Sequence, residues 1–386
     1  MLNAVINSGA DAVYFGIRDF NMRAQADNFT IEDIPEIVRI AREKDVETHL
    51  TMNTILYDEE LETAERIIKT AKESGVDEII CWDFSVIELC KQYNMPFCVS
   101  TQASVSNSLA ASYFKTIGAK RVVIARECSI EQIANIIKNT DIEIEAFVHG
   151  AMCIAVSGRC FMSHELFGRS ANRGDCIQPC RREYQIFDDR KENSLLLGED
   201  YVMSSKDLCS IEFLDKLIES GIHIFKIEGR KRSPEYAAKA TEVYREAIDA
   251  YFENHLTNEL KQKLSGELNM VFNRGFTSGF YNHLPGSNDF AAEEGNISPV
   301  KKEYIGKIIN YFKVNQVAFI RLESGGLSEG DDIYILGKTS GVVEVQAASM
   351  QVNDKAGSLA VKGDTVTLFC PERVRNGDKV YLKKTM

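Results

Sequence analysis

Four cysteines lie close together near the middle of the chain. Six residues separate Cys153 from Cys160, fifteen more precede Cys176, and Cys180 follows after three. Soft thiolates bind zinc or iron–sulfur clusters, and four of them complete either a tetrahedral zinc site or a 4Fe-4S cubane. Structural zinc usually draws on two close pairs, and only Cys176 and Cys180 form one here. The spacing therefore favours a 4Fe-4S cluster over zinc, with unliganded core cysteines as a third possibility.

A fifth cysteine is the main rival ligand. Cys209 ends the run Ser204–Cys209, which follows a long insertion and could fold back to the site. Closing the short loop between Cys176 and Cys180 costs less entropy than recruiting a distant segment. We therefore predict that Cys180, and not Cys209, is the fourth ligand.

Polar residues at the ends of predicted strands form a second group. If those strands belong to a barrel, their C-terminal ends meet at one mouth, where loops carry the chemistry. Lysine and arginine there suit carboxylates or phosphates, and glutamate or histidine can move protons. A salt bridge in the rim is the alternative role for each charged residue, and orienting the loop is the alternative for the histidine. The candidate catalytic residues are His149, Glu127, Arg126, Lys226 and Glu228, and the candidate substrate-binding residues are Asn53, Gln102, Glu145 and Arg230.

Charge is distributed unevenly along the chain. A net charge of −12 and a pI near 5.2 argue against a protein that coats nucleic acid indiscriminately. From Cys153 to Arg182, however, there are five arginines and two acidic residues, and Lys226–Arg232 holds four basic residues and one acidic residue. Any single arginine is compatible with solvated surface, but two basic runs beside the cysteines favour an anionic substrate. Arg181 and Arg182 are the predicted contacts to that substrate.

The first two-thirds of the chain alternate β-branched runs with amphipathic helical stretches, which is typical of parallel strands joined by helices. No glycine-rich dinucleotide loop follows any of these runs, so a TIM-like (β/α)8 barrel is favoured over an open doubly wound sheet. One strand is short of eight: the first would precede Met1, or the barrel is incomplete or closed in another way. The predicted strands are Ala12–Gly16, Glu47–Asn53, Glu78–Asp83, Pro96–Thr101, Arg121–Arg126, Ile144–Gly150 and His223–Gly229.

The pattern changes after residue 297. Short alternating strands punctuated by glycines predict a small antiparallel β-barrel over residues 298–386. We therefore expect a barrel domain at residues 1–264 with a cysteine-rich loop at 150–182, a connecting segment at 265–297, and the C-terminal domain. Its predicted strands are Tyr304–Tyr311, Gln316–Leu322, Asp332–Leu336, Gly341–Met350 and Asp364–Phe369.

The sequence also bears on the cellular compartment. It shows no leading charged-then-apolar signal segment and no run of about 18 apolar residues that would cross a membrane. In a reducing cytoplasm, clustered cysteines argue for metal or redox chemistry more than for disulfides. We expect a cytoplasmic protein with no membrane partner.

Three segments around the cysteines resemble the signature of the peptidase U32 family. They are residues 149–153 (His-Gly-Ala-Met-Cys), 157–160 (Ser-Gly-Arg-Cys) and 172–176 (Asn-Arg-Gly-Asp-Cys). The likeness runs from about Asn3 into the C-terminal domain. Further matches are Asn53-Thr54, Ser100-Thr101-Gln102, Arg126-Glu127, Lys206-Asp207-Leu208, Lys226-Ile227-Glu228-Gly229-Arg230 and Asn273-Arg274-Gly275-Phe276.

This resemblance implies a function. The family was named for collagenase-like peptidases, but several bacterial members are required to hydroxylate RNA bases, either the wobble uridine of tRNA with prephenate or a cytidine of 23S ribosomal RNA. Related proteins hold 4Fe-4S clusters on matching cysteines. By resemblance, the cluster ligands are Cys153, Cys160, Cys176 and Cys180, the substrate is RNA, and a small carboxylate such as prephenate is the co-substrate. Family members usually begin with an additional strand, which leaves the first barrel strand open.

Two alternatives stand beside an RNA hydroxylase. A collagenase-like, metal-dependent peptidase would need hydrolytic machinery, yet the zinc-protease motif His-Glu-x-x-His does not occur. His149 with Cys153 or Cys160 could form a cysteine-protease pair, but a cysteine bound to iron cannot also be a free nucleophile. The other alternative is a non-catalytic assembly or RNA-binding factor whose cysteines hold structural zinc.

Overall fold

A computed structural model describes residues 1–18, 20–22, 28–184, 203–229, 232–293 and 295–385 of the chain. Most of the strands belong to two sheets, and each sheet packs on an apolar core of its own. The first sheet is mainly parallel and the second is antiparallel. The predicted α/β architecture, a parallel sheet followed by a separate antiparallel one, is therefore confirmed.

The first sheet has nine strands among the described residues: β1 (Ala12–Gly16), β2 (Glu47–Met52), β3 (Glu78–Cys81), β4 (Phe97–Val99), β5 (Arg121–Val123), β6 (Glu143–Ala151), β7 (Asp207–Cys209), β8 (Ile224–Ile227) and β9 (Phe276–Thr277). β1 to β6 lie side by side in chain order, all parallel, and β8 pairs in parallel with β6. β7 is antiparallel to β6, and β9 is parallel to β7. The seven parallel strands coincide with the seven predicted runs, whereas β7 and β9 were not predicted.

Amphipathic helices accompany the strands: α1 (Leu2–Asn7), α2 (Ile34–Arg42), α3 (Leu61–Ser74), α4 (Phe84–Gln92), α5 (Ser108–Thr116), α6 (Ile130–Lys138), α7 (Met162–Phe167), α8 (Leu214–Glu219), α9 (Pro234–Phe252) and α10 (Asn258–Asn269). In α3, Ala64, Ile67, Ile68 and Ala71 form one buried stripe at three- and four-residue spacing. Gly75 ends this helix at φ 81°, a left-handed conformation that glycine adopts readily. Among the described helices, none combines the length and apolar character needed to cross a membrane.

The two edges of the parallel sheet approach each other without joining. Within the described residues, no backbone ladder connects β1 to β8. The Tyr14 hydroxyl on β1 nevertheless donates to the Ile227 carbonyl on β8 over 3.2 Å. The structure therefore has seven parallel strands with β1 and β8 in contact through a side chain, and the predicted eight-stranded closure is absent from the described part of the chain.

The second sheet follows a connection that packs back on the first one. Its strands and their short neighbours are β10 (Val300–Phe312), β11 (Val317–Leu322), β12 (Gly326–Ser328), β13 (Asp332–Gly337), β14 (Gly341–Gln346), β15 (Gln351–Val352), β16 (Lys355–Ala356), β17 (Leu359–Val361), β18 (Thr365–Phe369) and β19 (Lys379–Thr385). Eight of them pair in the order β14-β13-β19-β10-β11-β18-β15-β16, and β12 pairs with β17. No pairing of β14 with β16 closes the sheet in the described residues, so the predicted small barrel is an antiparallel sheet. The five predicted strands are present.

Candidate functional site

A cavity of about 130 Å³ opens at the C-terminal ends of the parallel strands. The loops after these strands and the cysteine-rich segment form its wall, as expected for an α/β sheet of this kind. Many residues proposed from the sequence meet here. They are Asn53, Gln102, Arg126, Glu127, Cys153, Cys176, Cys180, Arg181, Lys226 and Glu228.

Other proposed residues lie elsewhere. Glu145 lies below the cavity and His149 lies in the core, both almost fully buried. Arg182 is exposed and Cys160 is partly exposed, and neither lines the cavity. Arg230 falls outside the described residues.

Lys226 is the cation in the floor of the cavity. Its ammonium lies 2.6 Å from Glu145 Oε1 and 4.4 Å from the centre of the Tyr14 ring. Burial alone would raise the pKa of Glu145, but the Lys226 ammonium and the Arg121 guanidinium lower it below its ordinary value. Glu145, predicted to bind the substrate, is not among the residues that line the cavity, and its carboxylate contacts Lys226 instead.

A second layer of charge lies beneath Glu145. Arg121 is 3.4 Å from both Glu145 and Glu78, and His49 is 3.9 Å from Glu78. Burial raises the pKa of Glu78, although His49 and Arg121 oppose that shift. Glu78 and Arg121 were not among the predicted site residues, yet each is a charged residue at the start of an otherwise apolar strand, and that position was the available signal.

Arg126 and Glu127 fasten the start of the cysteine-rich segment. Arg126 donates to the Ala151 carbonyl over 2.7 Å, and its guanidinium lies 3.7 Å from the centre of the Phe147 ring. Glu127 Oε1 accepts from the Ser157 amide at 3.0 Å, while Glu127 Oε2 has no hydrogen-bond partner in the described residues. One oxygen of Glu127 therefore holds the loop, and the other is buried without a partner among the described residues.

The opposite wall is neutral and polar. Asn53 donates through Nδ2 to Ser100 Oγ at 3.2 Å and to Gln102 Oε1 at 3.3 Å, and the Ser100 hydroxyl also donates to Gln102. The Met22 amide donates to Asn53 Oδ1 at 3.2 Å. This network fixes the amide orientations, so the cavity offers a rigid hydrogen-bonding surface opposite Lys226.

His149 does not reach the cavity, which corrects the prediction that it points to the mouth. Its ring is 1% exposed and packs between Tyr236, Tyr244 and Phe276, with centroids 5.5–5.8 Å apart. The register of β6 against β8 shifts between Phe147 and His149. Such a bulge breaks the two-residue alternation that would have placed His149 beside Phe147. Burial lowers the pKa of His149 to about 3, with Arg232 adding to the effect.

We expect His149→Phe to fold and to retain activity. Neither ring nitrogen of His149 has a hydrogen-bond partner in the described residues, and its neighbours are aromatic. Because the folded pKa lies below that of the unfolded chain, wild-type stability falls as pH drops from about 6.5. The variant should lose that part of the acid sensitivity in urea unfolding measured at pH 5 and pH 7.5. Lost activity in a stably folded variant would restore a catalytic role for His149.

Arginines anchor the cysteine-rich segment to the sheet. Arg181, proposed to contact the substrate, donates to the Met152 carbonyl at 2.6 Å and to the Ser205 carbonyl. Arg173 pairs with Glu60. Arg182 is exposed, with its guanidinium 4.5 Å from the centre of the Phe167 ring. Of the two proposed contacts, Arg181 is thus used to hold the loop and Arg182 is accessible.

The four proposed ligands share one electrostatic environment. Burial raises the pKa of Cys180 to about 11; Arg181 lowers it, and the thiols of Cys153, Cys176 and Cys160 raise it. The Met162 amide donates to Cys160 Sγ at 3.3 Å, and the Ser163 hydroxyl donates to Cys176 Sγ at 3.9 Å.

Cys209 lies apart from this group. It sits on β7, paired with His149 of β6, and it is 9% exposed. Burial raises its pKa to about 11, and hydrogen bonds from the Ile211 backbone and the Tyr244 side chain oppose the shift. Its neighbours are therefore those of a core thiol.

The donor set fits an iron–sulfur cluster. In the part of the chain that the structure describes, no three Cys, His, Asp or Glu side chains converge closely enough to hold a single metal ion. A 4Fe-4S cubane takes one thiolate at each iron, so its four ligands need not converge on one point. The N–H and O–H donors on Cys160 and Cys176 suit thiolate sulfurs that carry negative charge.

Comparison with known proteins places the chain. A profile described as peptidase family U32 matches residues 1–290. The chain belongs to peptidase family U32. It is 40% identical to "Uncharacterized protease MJ0090" of Methanocaldococcus jannaschii over 99% of this chain and 95% of that protein. It is 37% identical to a "Collagenase" of Porphyromonas gingivalis over 98% and 94%. It is 36% identical to "tRNA hydroxylation protein P1" of Bacillus subtilis over 87% and 81%.

Two more segments that matched the U32 pattern meet behind the cavity of this U32 protein. Asp207, fully buried, pairs with Arg232 at 2.6 Å and with Arg274 at 3.5 Å. The pKa of Arg274 falls to about 10 because of burial and the nearby guanidinium groups of Arg181 and Arg232. Three guanidinium groups and one carboxylate leave a positive surplus beside the cysteines, which favours a negatively charged cluster or substrate there.

Proposed function

We propose that this U32 protein binds a 4Fe-4S cluster through Cys153, Cys160, Cys176 and Cys180 and hydroxylates a pyrimidine base of RNA, with tRNA the favoured substrate. The observation that carries the proposal is the single cavity in which three of these cysteines meet Lys226 and Arg126. The relative named as a tRNA hydroxylation protein supports the reaction class. A reducing cytoplasm is the matching compartment, and we regard the sheet as a relative of the (β/α)8 barrels.

The cavity residues would hold a small carboxylate, of which prephenate is one candidate. Lys226 supplies a charge that Glu145 keeps in place, because the pair is 2.6 Å apart and shielded from water. Gln102 supplies a neutral amide group to the same cavity, and Asn53 holds that amide in place through its Oε1. Glu127, which lines the cavity, would be the group that takes or gives a proton there. When bound, the cluster would supply the electron transfer that hydroxylation requires.

RNA would approach over the exposed cysteine-rich segment. Phe161 is 75% exposed and Phe167 is 43% exposed, and Arg182 lies over the Phe167 ring. Aromatic rings beside guanidinium groups bind unstacked bases and phosphates, as single-stranded loops of RNA require. The target base would then enter the cavity from this side.

The test is the nucleoside content of a strain that lacks the protein. We expect one hydroxylated pyrimidine to disappear from its tRNA in mass spectrometry and to return with the wild-type gene, but not with Lys226→Met. Lys216→Met, at an exposed lysine of α8, is the matched control and should restore the nucleoside. Immunoblots establish that each variant accumulates, and Gln102→Ala is a second cavity variant if Lys226→Met does not. Unchanged tRNA and ribosomal RNA nucleosides in the deletion strain would refute the proposal.

The collagenase name of one relative favours a second candidate, a peptidase. That reading needs a base for a cysteine nucleophile, and His149 is enclosed by aromatic rings away from the cavity. Reproducible cleavage of gelatin by iron-free protein, lost in a cavity variant such as Glu127→Gln, would favour the peptidase.

A further inference from the structure

Three phenylalanines lie on adjacent strands of the second sheet, and two of them are well exposed. Phe312 on β10 is 44% exposed and Phe369 on β18 is 54% exposed. Both stand opposite Val317 of β11 in the strand register. Phe319, two residues further along β11, has its ring centroid 6.3 Å from that of Phe312. We call Phe312, Phe319 and Phe369 the aromatic face.

The aromatic face points outward, away from the core of the sheet. Side chains alternate along a strand, and the intervening residues Ala318, Ile320 and Leu368 are at most 1% exposed. Large apolar side chains that are grouped on a surface usually mark a binding site. The alternation of side chains along the strands therefore places these rings on the side of the sheet that faces away from its core.

A basic cavity of about 170 Å³ adjoins this face. Lys313, which follows Phe312 directly, lines it together with Arg373, Arg375, Asn310 and Asn376, and no acidic residue is among the lining residues. Within the described residues, no carboxylate lies within 4.0 Å of Lys313, Arg373 or Arg375 to form a salt bridge. Three cations without a salt-bridge partner stand out in a chain of net charge −12, and the nearby Asp378 carboxylate contacts Arg375 at its backbone amide.

Hydrogen bonds between the turn after β10 and the segment after β18 hold the aromatic face beside the basic cavity. The Tyr311 hydroxyl donates to the Cys370 carbonyl at 3.0 Å, and the Gln316 side chain donates to the Pro371 carbonyl at 3.2 Å. The Cys370 amide donates to the Gln316 carbonyl at 2.7 Å. The turn after β10 and the segment after β18 are thus fixed side by side.

We propose that the aromatic face and the basic cavity form a second RNA-binding site, which takes unpaired nucleotides of the RNA substrate away from the reacting base. Aromatic rings in a row on a sheet accept bases by stacking, and an adjacent group of lysine and arginine binds the phosphates that link them. The site rests on the proposed function for the identity of its RNA. An apolar protein partner would not account for three unpaired cations, so charge favours the polyanion.

The experiment measures binding of a fluorescein-labelled single-stranded RNA 12-mer to the full-length protein by anisotropy, with a duplex of the same sequence alongside. We expect the single strand to bind more tightly. Phe312→Ala with Phe369→Ala should weaken single-strand binding about 25-fold or more, because each lost stack contributes a factor of roughly five or more. Lys313→Ala with Arg373→Ala should reduce the slope of log affinity against log salt by about 1.4.

Two matched controls lie in the same part of the chain. Leu359→Ala with Val361→Ala removes exposed apolar side chains of β17, and Lys355→Ala with Lys362→Ala removes exposed lysines, so both should bind RNA as wild type does. No single-strand binding by wild type, or equal binding by the aromatic and control variants, would overturn the proposal. The proposal would also be overturned if the aromatic variant bound RNA as wild type does but sedimented as a smaller species, since the aromatic face would then join two copies of the chain. Binding is measured without hydroxylation, so a deletion strain with unchanged nucleosides would refute the proposed function and leave this result standing.

Discussion

Replacing Cys180 with serine will remove iron from the anaerobically purified protein, whereas Cys209→Ser will leave the iron in place. Wild type should contain about four irons per chain and show broad visible absorption. Cys180 lines the cavity with Cys153 and Cys176, and the thiols of Cys153, Cys160 and Cys176 all contribute to its raised pKa. Cys209 is held in β7 by the ladder to β6. A serine hydroxyl is a harder, poorer ligand for iron than a thiolate, so the loss should be nearly complete.

A control variant is prepared in the same way, and the same assays can contradict the prediction. Cys370 follows β18 and is a further buried cysteine, so Cys370→Ser should keep its iron. Iron and acid-labile sulfide are assayed per chain beside the absorption spectrum. Stoichiometric zinc without iron in wild type would favour the structural-zinc reading, and iron lost from Cys209→Ser but kept in Cys180→Ser would exchange the two ligands.

Strand positions were predictable from the sequence because parallel strands buried on both faces are short apolar runs. β3 illustrates this, since all four of its residues are buried. β7 was missed because its three residues, Asp-Leu-Cys, contain one aliphatic side chain and so form no apolar run. The sequence also could not predict whether the parallel sheet closes into a barrel. β6 pairs with both β7 and β8, and the residue pattern within one strand does not determine its partner strands.

Site residues were predictable where they follow the end of a strand. Arg126 follows β5 and reaches the cavity for that reason, and Lys226 reaches it from the next-to-last position of β8. His149 failed because the bulge beside it interrupts the alternation on which the prediction rested. The sequence could show that Arg181 is cationic but not that two backbone carbonyls already occupy its guanidinium. Residue type predicts which contacts are possible, and tertiary structure decides which of them are made.

Two carboxylate-to-amide changes beneath the cavity should have very different effects on stability. Glu145→Gln leaves the buried Lys226 ammonium without its counter-charge, so we expect a loss of about 3–5 kcal/mol in the free energy of unfolding near pH 7.5. Glu78 makes no hydrogen bond through either carboxyl oxygen in the described residues, and burial raises its pKa. Glu78→Gln removes a charge that the fold disfavours, so its effect should stay within about 1 kcal/mol at the same pH.

The pH dependence separates the two residues further. The folded pKa of Glu145 is below its unfolded value, so its contribution to stability is present at neutral pH and is lost as pH falls through the folded pKa. The folded pKa of Glu78 is above its unfolded value, so stability falls as pH rises from the unfolded pKa to the folded one. Urea unfolding of anaerobic protein between pH 5 and pH 8 should therefore show that Glu78→Gln lacks the fall in stability that wild type undergoes as pH rises from the unfolded pKa of Glu78 to its folded pKa. Equal destabilisation by the two variants would mean that Glu78 is ionised and pairs with Arg121 as strongly as Glu145 pairs with Lys226.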